Sequence, residues 1–509
     1  MQISPDPPAF AATYGATGKG AAQVVWTTLV ADLETPVSAM LKLAAGRPNS
    51  FLLESVEGGA IRGRYSFIGM NPDIVWRCRG NKADINRNAV ADPDAFSPCP
   101  VAEKSGAIAS LRALVNESRI EMPSALPPMA SGLVGFMAYD MVRLIERLPD
   151  ANPDVIGVPD SVFLRPTVMA VFDSLKDSVT VITPVWPEPS QSADSAYEAA
   201  RQRLAAVVRD FRNHRARKKV KSPRADGPIA PVSNVTREQF HGMVRKAIEY
   251  IQAGDAFQIV PSQRFRVPFK LPPFSFYRAL RRLNPSPFLF FLNFGDFCVA
   301  GSSPEILVRV RHGRITLRPL AGTRKRGATP EEDKALVADL LADPKEIAEH
   351  LMLLDLGRND VGRVAKVGTV RVTEQFIVEY YSHVMHIASN VEGELDPRYD
   401  AIDALLAGFP AGTVSGAPKV RAMEIIDELE PERRGVYAGC IGYFGANGDM
   451  DTCIALRTAV IKDEVLYVQA GGGVVADSDP ENEYQESCNK AKALLRAAEE
   501  AAAFSADGG

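Results

Sequence analysis

The sequence predicts an α+β fold of antiparallel β-sheets with helices packed on the outside. Short hydrophobic segments with strand-like alternation follow one another closely through 257–319 and again through 435–470. Such close spacing favours antiparallel pairing, because parallel strands need long crossover connections. Helices with clear ends separate these groups, such as the one that the capping box Thr236-Arg-Glu-Gln239 opens and Gly254 ends.

Composition divides the chain into four parts. Residues 1–22 are rich in Pro, Gly and Ala, which predicts a flexible N-terminus. Residues 23–211 form an N-terminal region of strands and helices, and 233–500 form a second, larger region. The segment 212–232 between them is basic and punctuated by Pro and Gly. We interpret it as a solvated linker, with a polyanion-binding patch as the alternative.

The overall composition is that of an ordinary globular protein, with 46% hydrophobic and 24% charged residues in 509. A net charge of −4 gives no electrostatic reason to expect nucleic acid or a membrane surface as partner. The longest strongly apolar run, 288–292, is too short to span a bilayer, and the N-terminus has no signal-peptide pattern. Six cysteines without a C-x-x-C pair predict reduced thiols and a cytoplasmic protein.

Residues 343–356 predict one helix with a clear beginning and end. Asp343 is a suitable N-cap, Pro344 occupies the first helical position, and Gly357 is expected to end the helix. An apolar stripe is expected to dock this helix on a core; its members are Ile347, Leu351, Leu354 and Leu356.

Two helices each carry a pair of glutamates on one face. Glu346 and Glu349 lie on the helix just described, and Glu483 and Glu486 repeat the spacing on the last helix. Simpler interpretations exist for each pair: a capping-box partner and a solvated acid, or an ion pair between Glu486 and Lys490. Four carboxylates around one cleft would instead need a cation, and all-oxygen ligation suits Mg²⁺.

Two segments of small residues with accessible backbone N–H groups predict that one end of the same cleft binds anions. The small-residue loop 411–418 runs into a helix and offers free N–H groups, although a tight turn is the alternative. The glycines 471–473 follow a strand, and Arg457 can bind a carboxylate with two hydrogen bonds. His386 lies on a predicted strand, where a histidine is more often structural, and His383 points to the opposite face.

Four motifs together resemble the chorismate-utilising enzymes, most closely the anthranilate synthase component I family. They are Ala-Gly-Thr at 321–323, Asp-Leu-Gly-Arg-Asn-Asp at 355–360, Ala-Gly-Thr-Val-Ser-Gly-Ala-Pro-Lys at 411–419 and Glu-Asn-Glu-Tyr-Gln-Glu-Ser-Cys-Asn-Lys at 481–490. The resemblance runs through about 234–495 and extends to Leu-Leu-Glu-Ser at 52–55. It implies that the antiparallel sheets pack as a sandwich.

The resemblance also assigns roles to residues of this chain. It implies that Glu349 and Glu486 bind Mg²⁺ directly, with Glu346 and Glu483 acting through water, and that the metal holds the ring carboxylate of chorismate. The implied substrate contacts are Gly322, Thr323, Tyr437, Arg457, Gly471, Gly472 and Gly473. The implied catalytic residues are the base His386, the acid Glu305 and, beside the ring, Thr413.

The implied activity is that of a lyase which converts chorismate and ammonia to anthranilate and pyruvate, the first committed step of tryptophan biosynthesis. Ala321 stands where relatives making aminodeoxychorismate or isochorismate carry a lysine nucleophile or base. Aminodeoxychorismate synthase component I, or another chorismate aminating or isomerising enzyme, is the alternative. The chain shows no glutamine amidotransferase domain, so ammonia from glutamine is expected to come from a separate subunit.

The resemblance further implies feedback inhibition by tryptophan. The residues that match the family's inhibitor site are Glu54, Ser55, Pro287, Phe288, Leu289, Gly442 and Tyr443. Many relatives have Tyr-Met where this chain has Phe288-Leu289, which keeps the bulk but loses a hydroxyl and a thioether.

Overall fold

The protein is described here by a computed structural model, which covers residues 2–15, 20–44, 46–57, 61–212, 230–381 and 384–506. Its described strand ladders are all antiparallel, and helices cover their outer faces. The predicted α+β class is therefore confirmed. Within the described residues, no helix is long and apolar enough to cross a membrane.

The N-terminal half contains long strands and few helices. Its helices are Pro7–Tyr14, Pro36–Leu43, Pro100–Glu117, the 3-10 helix Tyr139–Leu144, and Ala193–Arg212. Its strands are Gln23–Val30, Ser50–Glu54, Val56–Glu57, Ile61–Arg62, Tyr65–Arg79, Lys82–Asn86, Ser97–Pro98, Gly132–Met137, Ser161–Asp173 and Ser178–Val185.

The C-terminal half alternates short strands with helices. Its helices are Arg237–Gln252, Pro273–Leu283, Pro330–Ala342, Pro344–Gly362, Ala401–Gly408, Gly412–Ser415, Lys419–Leu429, Pro480–Glu500 and Ala502–Ala506. Its strands are Val232–Ser233, Gln258–Ile259, Ser262–Pro268, Phe288–Asn293, Phe297–Ser303, Ile306–Arg311, Arg314–Leu317, Leu320–Lys325, Arg371–Tyr380, Val384–Glu394, Gly416–Ala417, Cys440–Gly445, Met450–Ile454, Thr458–Lys462 and Val465–Gly471.

Strands from both halves pair with each other. Ser50–Glu54 joins Phe288–Asn293, and Gly132–Met137 joins Cys440–Gly445. A hydrophobic cluster built almost entirely from strands and loops of both halves contains Phe51, Phe136 and Phe290. Two further clusters bury the helices against the outer sheet faces. Such layering is the sandwich with outer helices that was expected.

The N-terminus is more ordered than its composition predicted. Pro7–Tyr14 form a helix capped by the Asp6 side chain, and both Phe10 and Tyr14 are fully buried. Burial of two aromatic rings stabilises this segment despite the neighbouring prolines and glycines. Most of the predicted basic linker, 213–229, lies outside the described residues, as does His383.

The helix predicted over 343–356 is longer than expected, and the face that it buries differs from the predicted one. Asp343 caps it as predicted, but the helix continues through Gly357 to Gly362. Gly357 keeps helical backbone geometry, so it does not act as a left-handed C-cap. Leu351, predicted in the buried stripe, is 41% exposed, whereas His350, Leu353 and Leu354 are buried. We call Pro344–Gly362 the acidic helix and Pro480–Glu500 the C-terminal helix.

Candidate active site

Glutamates from the acidic helix and the C-terminal helix meet in one cluster. Burial raises the pKa of Glu349, and Glu346 and Glu486 raise it further by charge repulsion. Burial, with Glu486 and Glu349 adding, raises the pKa of Glu483 to about 7. One oxygen of Glu483, Oε2, is buried and has no hydrogen-bond partner among the described residues. The structure therefore brings together the two glutamate pairs, at an electrostatic cost that a cation would relieve.

Donors already contact two of these carboxylates. Gln258 Nε2 donates to Glu349 Oε1 at 2.8 Å. Lys490 Nζ lies 2.7 Å from Glu486 Oε1 and donates to the Gly471 carbonyl oxygen at 3.0 Å. The i,i+4 ion pair considered from the sequence therefore exists, but it faces the site rather than only solvent.

Glu346 is held by an arginine and does not act as the capping-box partner that the simplest interpretation predicts. Its Oε1 accepts a hydrogen bond from Arg324 Nη1 at 2.9 Å, and Arg324 also pairs with Asp343 at 2.8 Å. The N-cap carboxylate accepts from the backbone of the first turn, whereas the Glu346 side chain makes no capping box. A Cβ added to Gly322 would lie 3.1 Å from Glu346 Oε2, so this carboxylate faces the Ala-Gly-Thr segment.

The three glycines at 471–473 allow the backbone to approach the carboxylates. A Cβ at Gly472 would lie 2.8 Å from Glu483 Oε2 and 3.4 Å from Glu486 Oε1. At Gly473 it would lie 2.3 Å from Gln258 Nε2, and at Gly471 it would strike the Pro261 carbonyl oxygen at 2.3 Å. Larger residues at these positions would displace the side chains that line the cluster.

The Ala-Gly-Thr segment orients the His386 imidazole. Its Nδ1 lies 3.1 Å from the Gly322 carbonyl oxygen and 3.1 Å from Thr323 Oγ1. A carbonyl oxygen only accepts, so Nδ1 carries the proton and Nε2 keeps a free electron pair. Burial, together with the positive charge of Arg457, lowers the pKa of His386 to about 4. The imidazole is therefore neutral at physiological pH.

The pKa of Glu305 is shifted upwards, in the direction opposite to that of His386. Burial in apolar surroundings raises its pKa to about 8, so the carboxyl is protonated at neutral pH. The Leu320 N–H approaches its Oε1 at 3.5 Å. The Thr413 hydroxyl lies near enough to Glu305 to lower its pKa. Thr413 Oγ1 is nevertheless buried and makes no hydrogen bond of acceptable geometry among the described residues. Leu320 and Thr323 of one strand contact Glu305 and His386, so two groups with opposite pKa shifts lie beside the same strand.

The other end of the site carries a positive group. No hydrogen bond or ion pair of the Arg457 guanidinium is found among the described residues, and burial lowers its pKa. Arg457 also holds a left-handed backbone conformation with φ of 47°. Burial raises the pKa of Tyr437 to about 12, and its phenol neighbours the Gly471 backbone. A partly buried cation without an ion pair among the described residues is a suitable partner for a substrate carboxylate.

All seven residues of the predicted inhibitor site line one cavity of about 690 Å³. They are Glu54, Ser55, Pro287, Phe288, Leu289, Gly442 and Tyr443. Glu54 is buried there, and Arg281 donates to both of its oxygens at 2.8 and 2.9 Å while Tyr277 donates to Oε2. The far wall of the cavity includes Leu320 and Tyr381.

Sequence reasoning missed three contacts of the site. Gln258 lies in the strand-forming segment 257–267, but nothing in its spacing pointed to Glu349. Tyr381 places its ring edge-to-face against His386 with centroids 5.4 Å apart. Arg434 is buried beneath the 411–418 loop, donating to the carbonyl oxygens of Val414 and Val260 at 2.7 and 2.6 Å. Contacts between distant segments such as these leave no periodic signal in the sequence.

The carboxylate cluster suits a hard cation in its chemistry. It offers only oxygen ligands, a raised pKa at Glu349 and Glu483 caused by burial and by neighbouring carboxylates, and a buried oxygen on Glu483 with no partner among the described residues. No group of three His, Cys, Asp or Glu side chains within the described ranges already has metal-binding spacing. A cation with two direct protein ligands and otherwise water or substrate ligands fits both observations.

Comparison with known proteins identifies the family. The profile described as chorismate binding enzyme matches residues 71–496. The anthranilate synthase component 1 of Cereibacter sphaeroides is 61% identical over 489 residues, covering 95% of this chain and 96% of the relative. This chain belongs to the chorismate-binding enzyme family. Another family member, anthranilate synthase component 1 of Pseudomonas putida, is 48% identical over 480 residues, covering 92% and 93%.

A solved structure extends the similarity to the fold of this chorismate-binding enzyme. The crystal structure of anthranilate synthase component I from Streptococcus pneumoniae TIGR4 matches with a TM-score of 0.73 and 39% identity. The match covers 92% of this chain and 99% of that chain. The family resemblance and the sandwich fold expected from the sequence are therefore confirmed.

Proposed function

We propose that this chain is the large subunit of an anthranilate synthase, a lyase that converts chorismate and ammonia to anthranilate and pyruvate. The observation that carries the proposal is the presence of a protonated acid, Glu305, and a neutral base, His386, together with a carboxylate cluster and Arg457, for which the described residues supply no ion pair. Two opposed charged ends suit a substrate with two carboxylates, and the acid and base suit its two proton transfers.

The first step is amination. The nitrogen electron pair of ammonia forms a bond to the ring carbon next to the carboxylate-bearing carbon. The ring double bonds shift, and the bond between the ring and its hydroxyl oxygen breaks. Glu305 gives its proton to that oxygen, which leaves as water, and the ammonium group formed on the ring loses one proton, which restores the Glu305 carboxyl. Its high pKa supports this role, because a carboxyl with an ordinary pKa would already have lost its proton at neutral pH.

The second step is elimination. His386 Nε2 takes the proton from the aminated ring carbon, and that electron pair completes the aromatic ring. The bond from the ring to the enolpyruvyl oxygen breaks, and the departing enolate takes up a proton at carbon to become pyruvate. The Gly322 carbonyl holds the imidazole in the tautomer this step requires. Arg457 orients the enolpyruvyl carboxylate, supported by Tyr437 and the glycine backbone.

We assign Mg²⁺ to the carboxylate cluster, with Glu349 and Glu486 as direct ligands and Glu483 as support through water. Glu346 acts from further out, since Arg324 holds one of its oxygens. When bound, the ion supplies positive charge for the ring carboxylate of chorismate. Gln258 and Lys490 would keep the two ligand carboxylates oriented.

Ammonia from glutamine requires a partner, because no part of this sequence supplies an amidotransferase site. We therefore propose a glutamine amidotransferase subunit, anthranilate synthase component II, as the partner of a cytoplasmic enzyme. Tryptophan is the proposed inhibitor, bound in the cavity lined by Ser55 and Tyr443.

The test is to incubate the chain with chorismate, Mg²⁺ and ammonium. Anthranilate fluorescence with equimolar pyruvate is expected. Glu349→Gln should lower the rate by about a hundredfold or more, since it removes a charge from the proposed metal site. Glu249→Gln, on an exposed helix surface, is the matched control and should leave the rate unchanged. An aminated product without pyruvate would point to aminodeoxychorismate synthase or another aminating relative and would overturn the proposal.

A further inference from the structure

One buried histidine of the acidic helix takes no part in the proposed reaction. His350 directly follows the proposed metal ligand Glu349, and its side chain is fully buried. Its Nε2 lies 2.6 Å from Ser389 Oγ, which is also buried. Ser389 belongs to Val384–Glu394, the strand that carries the proposed base His386. The contact therefore links the helix of the metal ligands to the strand of the base.

We assign the Ser389 hydroxyl as the donor in this contact. Ser389 Oγ already accepts a hydrogen bond from the Phe376 N–H at 3.1 Å. If His350 Nε2 were a second donor to it, the Ser389 proton and His350 Nδ1 would both lack a partner among the described residues. With Ser389 as the donor only Nδ1 lacks one, and buried polar groups are rarely left unpaired. The hydrogen bonds thus run from Phe376 through Ser389 to His350.

The same hydroxyl holds an irregular position in the neighbouring strand. The ladder that pairs Arg371–Tyr380 with the strand of Ser389 shifts register around Phe376. Phe376 has a φ of 54°, a left-handed conformation that is strained for a residue with a bulky side chain. Its ring lies against the His350 ring with centroids 5.4 Å apart. Ser389 therefore joins the acidic helix, the strand of the base and this irregular strand at one oxygen atom.

Hydrophobicity alone predicts a different rotation of the acidic helix. The apolar stripe expected from the sequence would bury Leu351, which is 41% exposed, whereas the more polar His350 is buried in its place. Successive residues of an α-helix point about 100° apart, so burying Leu351 instead would turn the helix about its axis. Glu346 and Glu349 would turn with it, away from the cluster. The hydrogen bond from Ser389 offsets the cost of burying the imidazole and so favours the observed rotation.

We propose that His350 and Ser389 are positioning residues, which set the rotation of the acidic helix and hence the place of Glu349 relative to His386. The inference rests on the proposed function, in which the ring carboxylate of chorismate is held at the helix and the ring proton is removed at the strand. The placement of helix and strand then decides whether His386 Nε2 reaches that proton. His350 itself touches neither the substrate nor the cation, and acts through Glu349.

Substitutions that remove this hydrogen bond test the role. Ser389→Ala leaves His350 without its donor, and His350→Leu replaces the imidazole with a side chain that needs none. The probe is Mn²⁺, whose binding to the protein without substrate is followed by electron paramagnetic resonance. We expect the Kd for Mn²⁺ to rise about tenfold in both variants, and kcat at saturating Mg²⁺ to fall about tenfold. His350→Gln should recover most of both losses, because its amide oxygen can accept from the Ser389 hydroxyl.

Ser110→Ala is the matched control, since it removes a buried serine hydroxyl with the same kinds of partner in the N-terminal half. Ser110 Oγ accepts from the Trp76 ring N–H at 2.9 Å and donates to the Ala107 carbonyl oxygen at 2.7 Å. This variant should lower the unfolding free energy measured in urea, as Ser389→Ala does, but leave Mn²⁺ binding and kcat unchanged.

Each outcome has a distinct meaning. An unchanged Kd for Mn²⁺ in folded Ser389→Ala, or a His350→Gln variant no better than His350→Leu, would overturn positioning by this hydrogen bond. Absence of Mn²⁺ binding by the unmodified chain would overturn both the metal assignment and this inference. If the Kd values change as expected but the unmodified chain makes no anthranilate, only the proposed function is overturned.

Discussion

One physical cause acts in opposite directions on the two groups proposed for proton transfer. Burial disfavours the charged form of any group, so it raises the pKa of Glu305 and lowers that of His386. Each group is thereby held in the state that its step requires at neutral pH. Arg457 reinforces the effect on His386, because a nearby cation disfavours imidazolium.

These two shifts set the pH dependence of the reaction. With ammonium as nitrogen source, the rate per free ammonia should be flat from about pH 6 to 7. It should fall above about pH 8 as Glu305 loses its proton, and on the acid side only towards pH 4, where His386 becomes protonated. Initial rates corrected for the free ammonia concentration measure this profile. A fall in rate on the acid side near the ordinary histidine pKa of about 6.5 would contradict the lowered pKa of His386.

Gly472 controls how the carboxylates are arranged. In Gly472→Ala the new Cβ would lie 2.8 Å from Glu483 Oε2, at the flexible end of that side chain. The glutamate should therefore move while the backbone stays. We expect the Mg²⁺ concentration for half-maximal activity to rise about tenfold, with unfolding free energy changed by less than about 1 kcal/mol.

Gly242→Ala provides the comparison, because no atom lies within 4 Å of its added Cβ. Titration of activity with Mg²⁺ and urea unfolding are measured for both variants. Unchanged Mg²⁺ dependence in Gly472→Ala would show that Glu483 has no part in binding the ion.

Among helices and strands, local signals predicted more than long-range contacts did. Asp343, Thr236 and Asp479 cap helices as the sequence indicates, because a cap depends on residues within one turn. The continuation of the acidic helix past Gly357 was missed, since packing against the sheet overrides the low helix propensity of one glycine. Glutamate spacing predicted which carboxylates share a face, but the pairing of Glu346 with Arg324 depends on a distant strand.

The loop 411–418 depends on a buried ion pair below it. Arg434 and Glu430 are 1% and 4% exposed, and their charged atoms lie 2.6 Å apart. Arg434→Met would leave the Glu430 carboxylate and two carbonyl oxygens with lost partners. We expect the unfolding free energy to fall by about 3 to 5 kcal/mol, measured by urea denaturation.

Arg421→Met, on the helix Lys419–Leu429 that precedes the buried pair, removes an arginine from a partly exposed pair with Glu424 and should cost less than about 1 kcal/mol. The double variant Arg434→Met with Glu430→Gln should recover part of the loss, because it removes the stranded charge. Equal destabilisation by the two single arginine variants would contradict a special role for the buried pair.

At the scale of the whole molecule, the two halves of the chain are joined by shared sheets. Leu289 pairs with Glu54 in one ladder, and Tyr443 pairs with Val134 in another. The cavity proposed to bind tryptophan is lined by residues of both ladders, so its occupant would contact both halves at once. Only the family resemblance predicted which residues line this cavity. Residues 54 and 289 are far apart in the sequence, so no periodic pattern could predict their contact.

Two residues that line the same cavity also contact the groups proposed for proton transfer. Leu320 lines it and approaches Glu305 with its N–H, while Tyr381 lines it and packs against His386. The Tyr381 hydroxyl donates to Glu379 at 2.8 Å, and Glu379 accepts from Arg318 at 2.6 and 2.8 Å. A ligand in the cavity would therefore contact residues that neighbour both groups proposed for proton transfer.

Ser55→Phe should separate regulation from catalysis. The bulky ring would occupy space that tryptophan needs in our proposal, because Ser55 lines the cavity, whereas the proposed catalytic residues Glu305, His386 and Thr413 do not line it. We expect the tryptophan concentration for half-inhibition to rise at least about tenfold, with kcat for the ammonium reaction within about twofold. Ser55→Ala removes the hydroxyl without adding bulk, so it should stay close to the unmodified protein. Inhibition curves and kcat are measured together for all three proteins. If Ser55→Phe loses activity and inhibition in parallel, the cavity and the active site are not separable, and the shared wall would be part of the catalytic structure itself.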